Sequence, residues 1–303
     1  MRASRLVPAL VLWLLACGSA PMNSARAPEG TASDLQGLRV EVSAPSTVPY
    51  KVSVLGPGDV HVALQMTNVT ADARALDGLT VALTAARDGV AFPCHIARSG
   101  EGREPRVLAA GASYTFERDL GCLLPLPGLY ALSVYAALGR TPTPGADADR
   151  VGRFSLRIDA TQDTAPREVP GLPGLFAVMS GNPFARPLPR GAWAPGAYRV
   201  VIGVVNGARQ RYEDLTARIV FRVYKLGESV PCQESPVELR LPPRLEPGGV
   251  YLERIPITCV IGALGDYDVV GMLTVDHGAA PIELGRYRIH VTDEPTLDAL
   301  PPP

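Results

Sequence analysis

The chain has 303 residues, with 29 Lys and Arg against 30 Asp and Glu, a net charge of −1 and no block of like charge. A nucleic-acid reader needs a basic stripe, so nucleic acid is excluded as a partner. With 30 prolines and 30 glycines the chain is interrupted too often for long helices, while 47% apolar residues are enough to build cores.

Residues 1–16 have the pattern of a signal peptide. Arg2 and Arg5 make a positive start, and Leu6 to Leu15 form an apolar run too short to cross a bilayer as a helix. The run ends Leu14-Leu15-Ala16-Cys17-Gly18. This resembles the lipobox of bacterial lipoproteins: an aliphatic residue, a variable one, a small one, then the cysteine. The resemblance covers these first residues only and implies lipidation at Cys17. Two or three acyl chains meet the two-signal requirement for stable attachment, so the membrane is the expected partner. Gly18 in place of Asp favours the outer membrane over the inner. An ordinary secretory signal with an incidental Cys17 is the alternative. Residues 17–36 follow as a small, polar, proline-punctuated stretch, the composition of a flexible tether.

Beyond the tether the sequence is written twice. Pro57, Gly58, Asn68, Gly89, Pro93 and Cys94 recur 138 residues later as Pro195, Gly196, Asn206, Gly227, Pro231 and Cys232. Tyr114, Cys122 and Tyr130 recur 137 residues later as Tyr251, Cys259 and Tyr267. Two modules follow, over 37–159 and 174–293. A proline-bearing linker at 160–173 joins them, and residues 294–303 form a disordered tail.

Both modules alternate apolar and polar residues. Val60, Val62, Leu64 and Met66 match Tyr198, Val200, Ile202 and Val204. Leu79, Val81, Leu83 and Ala85 match Ala217, Ile219, Phe221 and Val223. A period of two predicts strands with one buried face. The proline-dense residues 181–196 predict a degraded or looped-out leading edge in the second module.

With Cys17 given to lipid, four cysteines remain and allow three connectivities. Duplication selects Cys94–Cys122 and Cys232–Cys259, because a module that arose with an internal bridge is copied with it. An oxidising compartment favours disulfides, and the absence of C-x-x-C spacing argues against zinc.

About seven short strands per module, one bridge, and the entries Pro127-Gly128-Leu129-Tyr130 and Gly265-Asp266-Tyr267 resemble bacterial Ig-like and fibronectin-type modules. The resemblance implies an all-β fold: two tandem antiparallel β-sandwiches of Ig-like type, one disulfide each. Two departures from antibody domains stand out. No Trp lies between the cysteines, and the tyrosine follows the second cysteine.

Residues with chemistry to offer are few. His61, His95, His277 and His290 do not recur between modules, and no G-x-S-x-G or H-E-x-x-H motif is present. No catalytic residue is assigned. Asp147, Asp149, Asp159 and Asp163 are the carboxylates a calcium site would use, but PGADADR lacks the calcium-loop pattern. No metal or cofactor is expected. Trp193 is the candidate ligand contact, with Tyr212 and Tyr224 behind it, and core packing is its competing role.

The resulting expectation is a non-catalytic, lipid-anchored cell-envelope protein with a binding or scaffolding role. It would serve as an accessory of a surface, secretion or motility assembly, with an envelope protein as partner. One alternative is a module that binds envelope polysaccharide through Trp193. The other is an exported hydrolase.

Overall fold

Alternating side chains can bury one face of a strand only if a second sheet covers it, and both modules are built that way. The computed structural model describes residues 22–26, 35–51, 55–57, 60–95, 97–98, 107–119, 121–161, 165–180, 188–189, 198–232, 235–261, 263–278 and 280–292. The first module comprises β1 (Met22–Arg26), β2 (Leu38–Pro45), β3 (Thr47–Pro49), β4 (His61–Asn68), β5 (Arg74–Ala75) and β6 (Leu79–Arg87). It continues with β7 (Val90–Phe92), β8 (Ala97–Arg98), β9 (Val107–Leu108), β10 (Ser113–Asp119), β11 (Gly128–Leu138) and β12 (Arg150–Asp159). The second comprises β13 (Arg167–Glu168), β14 (Leu175–Ser180), β15 (Leu188–Pro189), β16 (Arg199–Asn206), β17 (Tyr212–Glu213) and β18 (Ala217–Lys225). It ends with β19 (Glu228–Ser229), β20 (Val237–Leu239), β21 (Arg244–Leu245), β22 (Val250–Pro256), β23 (Gly265–Val275) and β24 (Ile282–Thr292).

Every sheet pairing of the first module recurs twelve strands later. The order β1-β2-β4-β10 is repeated as β13-β14-β16-β22, and β3-β12-β11-β6-β7 as β15-β24-β23-β18-β19. Pairings are antiparallel except β3 with β12 and β15 with β24, one short parallel edge per module. These are two Ig-like sandwiches, and the disulfides are Cys94–Cys122 and Cys232–Cys259, as the duplication selects.

The inward phase is the one the alternation assigns. Val62, Leu64, Met66, Leu83, Leu132 and Leu156 build one core, and Val200, Ile202, Val204, Phe221, Val269 and Ile289 the other. Tyr130 and Tyr267 anchor them identically. Tyr130 Oη donates to the Leu126 carbonyl at 2.8 Å and accepts from the Leu126 N–H at 3.1 Å. Tyr267 makes the same two bonds with Ala263 at 2.8 and 2.9 Å. Asn68 and Asn206 are also twins, each fully buried and each donating to two backbone carbonyls across neighbouring loops.

Two boundaries differ from the expectation. Within the tether, Met22–Arg26 pair along the outer edge of β2, and Leu35 enters the first core. Within the linker, β13 pairs with β14, and Val169 and Leu172 enter the second core. Of the proline-dense residues 181–196 only Leu188 and Pro189 are described, and they form β15 in the place of β3. The rest of that expected leading edge lies outside the described residues. An edge pairing needs only backbone N–H and C=O groups, so polar and proline-rich composition does not encode it.

Candidate functional site

The acyl acceptor Cys17 and the candidate ligand contact Trp193 both lie outside the described residues, as do the signal and the tail 294–303. Of the aromatics ranked behind Trp193, Tyr212 is buried and donates to the Pro173 carbonyl at 2.5 Å, a packing role. Tyr224 is half-buried on β18.

The histidines do not converge. His61 faces Asp119 at 2.7 Å across β4 and β10, and His290 faces Asp266 at 2.7 Å across β24 and β23. These are two exposed cross-strand pairs, one on each module. His95 donates its N–H to the Gly121 carbonyl beside the disulfide, and His277 sits in a turn at positive φ.

The acidic loop is a brace. Asp147 and Asp149 form a single 3₁₀ turn, and the Asp149 side chain is buried. Arg140 donates to both Asp149 oxygens, at 2.9 and 2.5 Å, and the Thr143 N–H adds a bond of 2.7 Å. The Arg140 guanidinium holds the Asp149 carboxyl below its ordinary value. Asp147 pairs with Arg150. Asp159 closes β12, and Asp163 lies outside the described residues. Among the described residues no three His, Cys, Asp or Glu side chains gather as a metal site, and no helix is long and apolar enough to cross a membrane.

Among the described residues the site the structure assembles is the junction between the modules, and alternation alone did not point to it. The outward residues of β4, His61, Ala63, Gln65 and Thr67, are exposed or half-buried. Those of β16, Val201, Gly203 and Val205, are increasingly covered, and Val205 is 1% exposed. At Val205 the cover is the first module, and a Cβ on Gly203 would lie 3.2 Å from Leu55 Cδ1 of that module. Val205 belongs to the first module's core cluster, and Phe176 and Val250 pack against that cluster.

The first module's contribution is the β6–β7 hairpin and its neighbours. The Arg87 guanidinium lies 6.0 Å from the centre of the Phe176 ring, a cation–π contact. Arg209 donates from Nε and Nη2 to the Asp88 carbonyl at 3.1 and 2.9 Å. A Cβ added to Gly207 would lie 2.7 Å from Leu126 Cδ1, and one on Gly248 would lie 1.9 Å from the Ala91 carbonyl oxygen. Glycine is therefore required at Gly248 by close approach, quite apart from its φ of +74°. The signal that could have revealed the junction is the run Val200-Val201-Ile202-Gly203-Val204-Val205. It is apolar in both phases, as a strand buried on both faces must be.

No protein family and no curated protein sequence matches this chain. Among solved structures it is similar to red sea bream transglutaminase, at 10% identity and a TM-score of 0.26, over 86% of this chain and 32% of that one. It is similar to E. coli alpha-2-macroglobulin at 11% identity and a TM-score of 0.26, over 86% of this chain and 17% of that one. A third is the CARDB domain of a Pyrococcus furiosus protein in complex with di-metal ions, at 11% identity and a TM-score of 0.25, over 40% of this chain and 87% of that one. The chain thus spans less than a third of the transglutaminase and of the macroglobulin.

Proposed function

We propose that this chain is a non-catalytic binding or scaffolding protein of the bacterial cell envelope, held on the membrane by lipid at Cys17. The observation that carries the reading is the junction. Sandwiches usually leave one sheet face wet, yet here one end of the second module's outer sheet face, at Val205, Phe176 and Val250, packs on the first module's core. A locked pair presents loops and edges at fixed positions, which suits display to a partner. The lipobox-like Leu14-Leu15-Ala16-Cys17 supports the anchor, and Gly18 favours the outer membrane.

The test is metabolic labelling with a palmitate analogue in a bacterial host, comparing wild type with Cys17→Ala, followed by crosslinking in intact cells. Wild type should carry label, sediment with membranes and crosslink to a defined envelope complex. Cys17→Ala should lose all three. An unlabelled, soluble wild type overturns the anchor. A labelled wild type that crosslinks to nothing overturns the scaffold.

A further inference from the structure

The junction has a donor half and an acceptor half, and duplication gives each module both. Inside the chain the donor is the turn Asp88-Gly89 of the first module. The acceptor is the pair of second-module loops that carry Arg209 and Gly248. That leaves one donor and one acceptor unmatched.

The unmatched donor is Leu226-Gly227, between β18 and β19. Its φ values of +52° and +87° reproduce the +52° and +80° of Asp88-Gly89, so the tip has the same shape. Its chemistry differs. Two-residue hairpins of this geometry favour Asp or Asn before the glycine, and a branched apolar residue is costly there. Leu226 is also 93% exposed, the most exposed large apolar side chain among the described residues. The fold itself gains nothing from a leucine so placed.

The unmatched acceptor lies at the far end of the first module. The repeat places Val69 where the second module has Gly207, Ala71 where it has Arg209, and Gly111 where it has Gly248. Val69 is 56% exposed, and Ala71, Ala109, Ala110 and Gly111 are exposed as well. A Cβ on Gly111 would meet nothing within 4 Å, whereas Gly248 is buried against Ala91. Within the chain the backbone carbonyl of the tip takes Arg209, while an apolar tip and an apolar loop pair are left without each other.

We propose that Leu226 of one chain seats on the Val69–Ala71 and Ala109–Gly111 loops of a second copy, continuing the internal junction from chain to chain. This rests on the scaffold reading and names its partner. Lys225, the counterpart of Arg87, lies 5.5 Å from the centre of its own Tyr267 ring, so it stacks within its own module. The sheet face beside the receiving loops is polar, with Thr67 and Ser113 hydroxyls bonded to each other at 2.8 Å. The contact is thus confined to the loops and is smaller than the internal junction. A head-to-tail contact leaves a free tip and a free loop pair on every dimer, so it extends to trimers and longer species, as an open row or a ring according to its rotation. A small interface is weak in solution and gains from confinement to one membrane surface.

The test places Glu228→Cys beside the tip and Ala110→Cys in the receiving loops of the full chain, leaving Leu226 in place. A short bismaleimide is then applied to intact cells. The double variant should give a ladder of dimers, trimers and longer species. The two single variants co-expressed should give dimers only, and either alone should give none. Adding Leu226→Asp should reduce the ladder at least tenfold. Absence of a ladder, crosslinking by one single variant alone, or indifference to Leu226→Asp each overturns the contact. If wild type still labels at Cys17 and crosslinks to another envelope protein, this contact falls while the scaffold reading stands. Loss of those signals takes the reading down with it.

Discussion

Asp149 shows how one buried carboxylate can be structural where loop composition invites a metal. Three donors converge on it, two from Arg140 and one from the Thr143 N–H, and its side chain is 4% exposed. The Arg140 guanidinium keeps its folded value below the unfolded one of about 4. A carboxyl lowered in this way adds stability above the unfolded value, and the gain is lost as pH falls through the folded value. Asp149→Asn keeps the shape and removes the charge. It should cost roughly 1–3 kcal/mol at neutral pH, by the usual worth of bonds to charged groups. The difference from wild type should shrink below a pH of about 4 as the wild-type carboxyl protonates. Urea melts at neutral and acid pH measure both numbers. An equal cost at both would mean that the charge is not what holds this loop.

Each disulfide staples the segment after a hairpin, β6–β7 or β18–β19, to the loop that leads into an 11-residue strand, β11 or β23. Cys94 and Cys122 face each other as an isolated β-bridge, flanked by Leu123 N–H to Pro93 O at 2.9 Å and His95 N–H to Gly121 O at 2.7 Å. With a sequence separation of 28 between the cysteines, the bridge removes roughly 3 to 4 kcal/mol of unfolded-chain entropy. Replacing both cysteines with Ala should lower the first module's stability by about that amount. Hydrogen exchange should then show the loss in β4, β6 and β11 and not in β16, β18 and β23. An equal loss in both modules would mean that the junction couples their unfolding completely. This scale was also the most legible in sequence. Anchors at a fixed offset gave the pairing of cysteines, and alternation gave the inward residues of β4, β16, β6 and β18. The edge strands β1 and β13 were not legible, because Met22–Arg26 and Arg167–Glu168 pair through backbone groups that no residue pattern marks.

At the scale of the whole molecule, duplication explains the modules and not their arrangement. Two identical sandwiches have no reason to lock. The lock comes from differences between the copies: Val201, Gly203 and Val205 on β16 where β4 has Ala63, Gln65 and Thr67, and Arg209 where the first module has Ala71. A constant-offset comparison attends to what the copies share, so it passes over these positions. Gly248 offers a clean measurement of the lock, because the repeat supplies its own control. Gly248 and Gly111 sit in the same turn at φ of +74° and +71°, and each donates its N–H to the carbonyl of its module's buried Asn. Valine at either place carries the same local strain, about 1–2 kcal/mol for a left-handed residue. Only at Gly248 would its Cβ also strike the Ala91 carbonyl. Gly111→Val should therefore lower stability modestly and leave the solution scattering profile unchanged. Gly248→Val should do the same locally, enlarge the radius of gyration, and split thermal unfolding into two transitions as the modules uncouple. If the two variants scatter alike, the modules are held by the linker and the contacts at Gly248 carry none of the coupling.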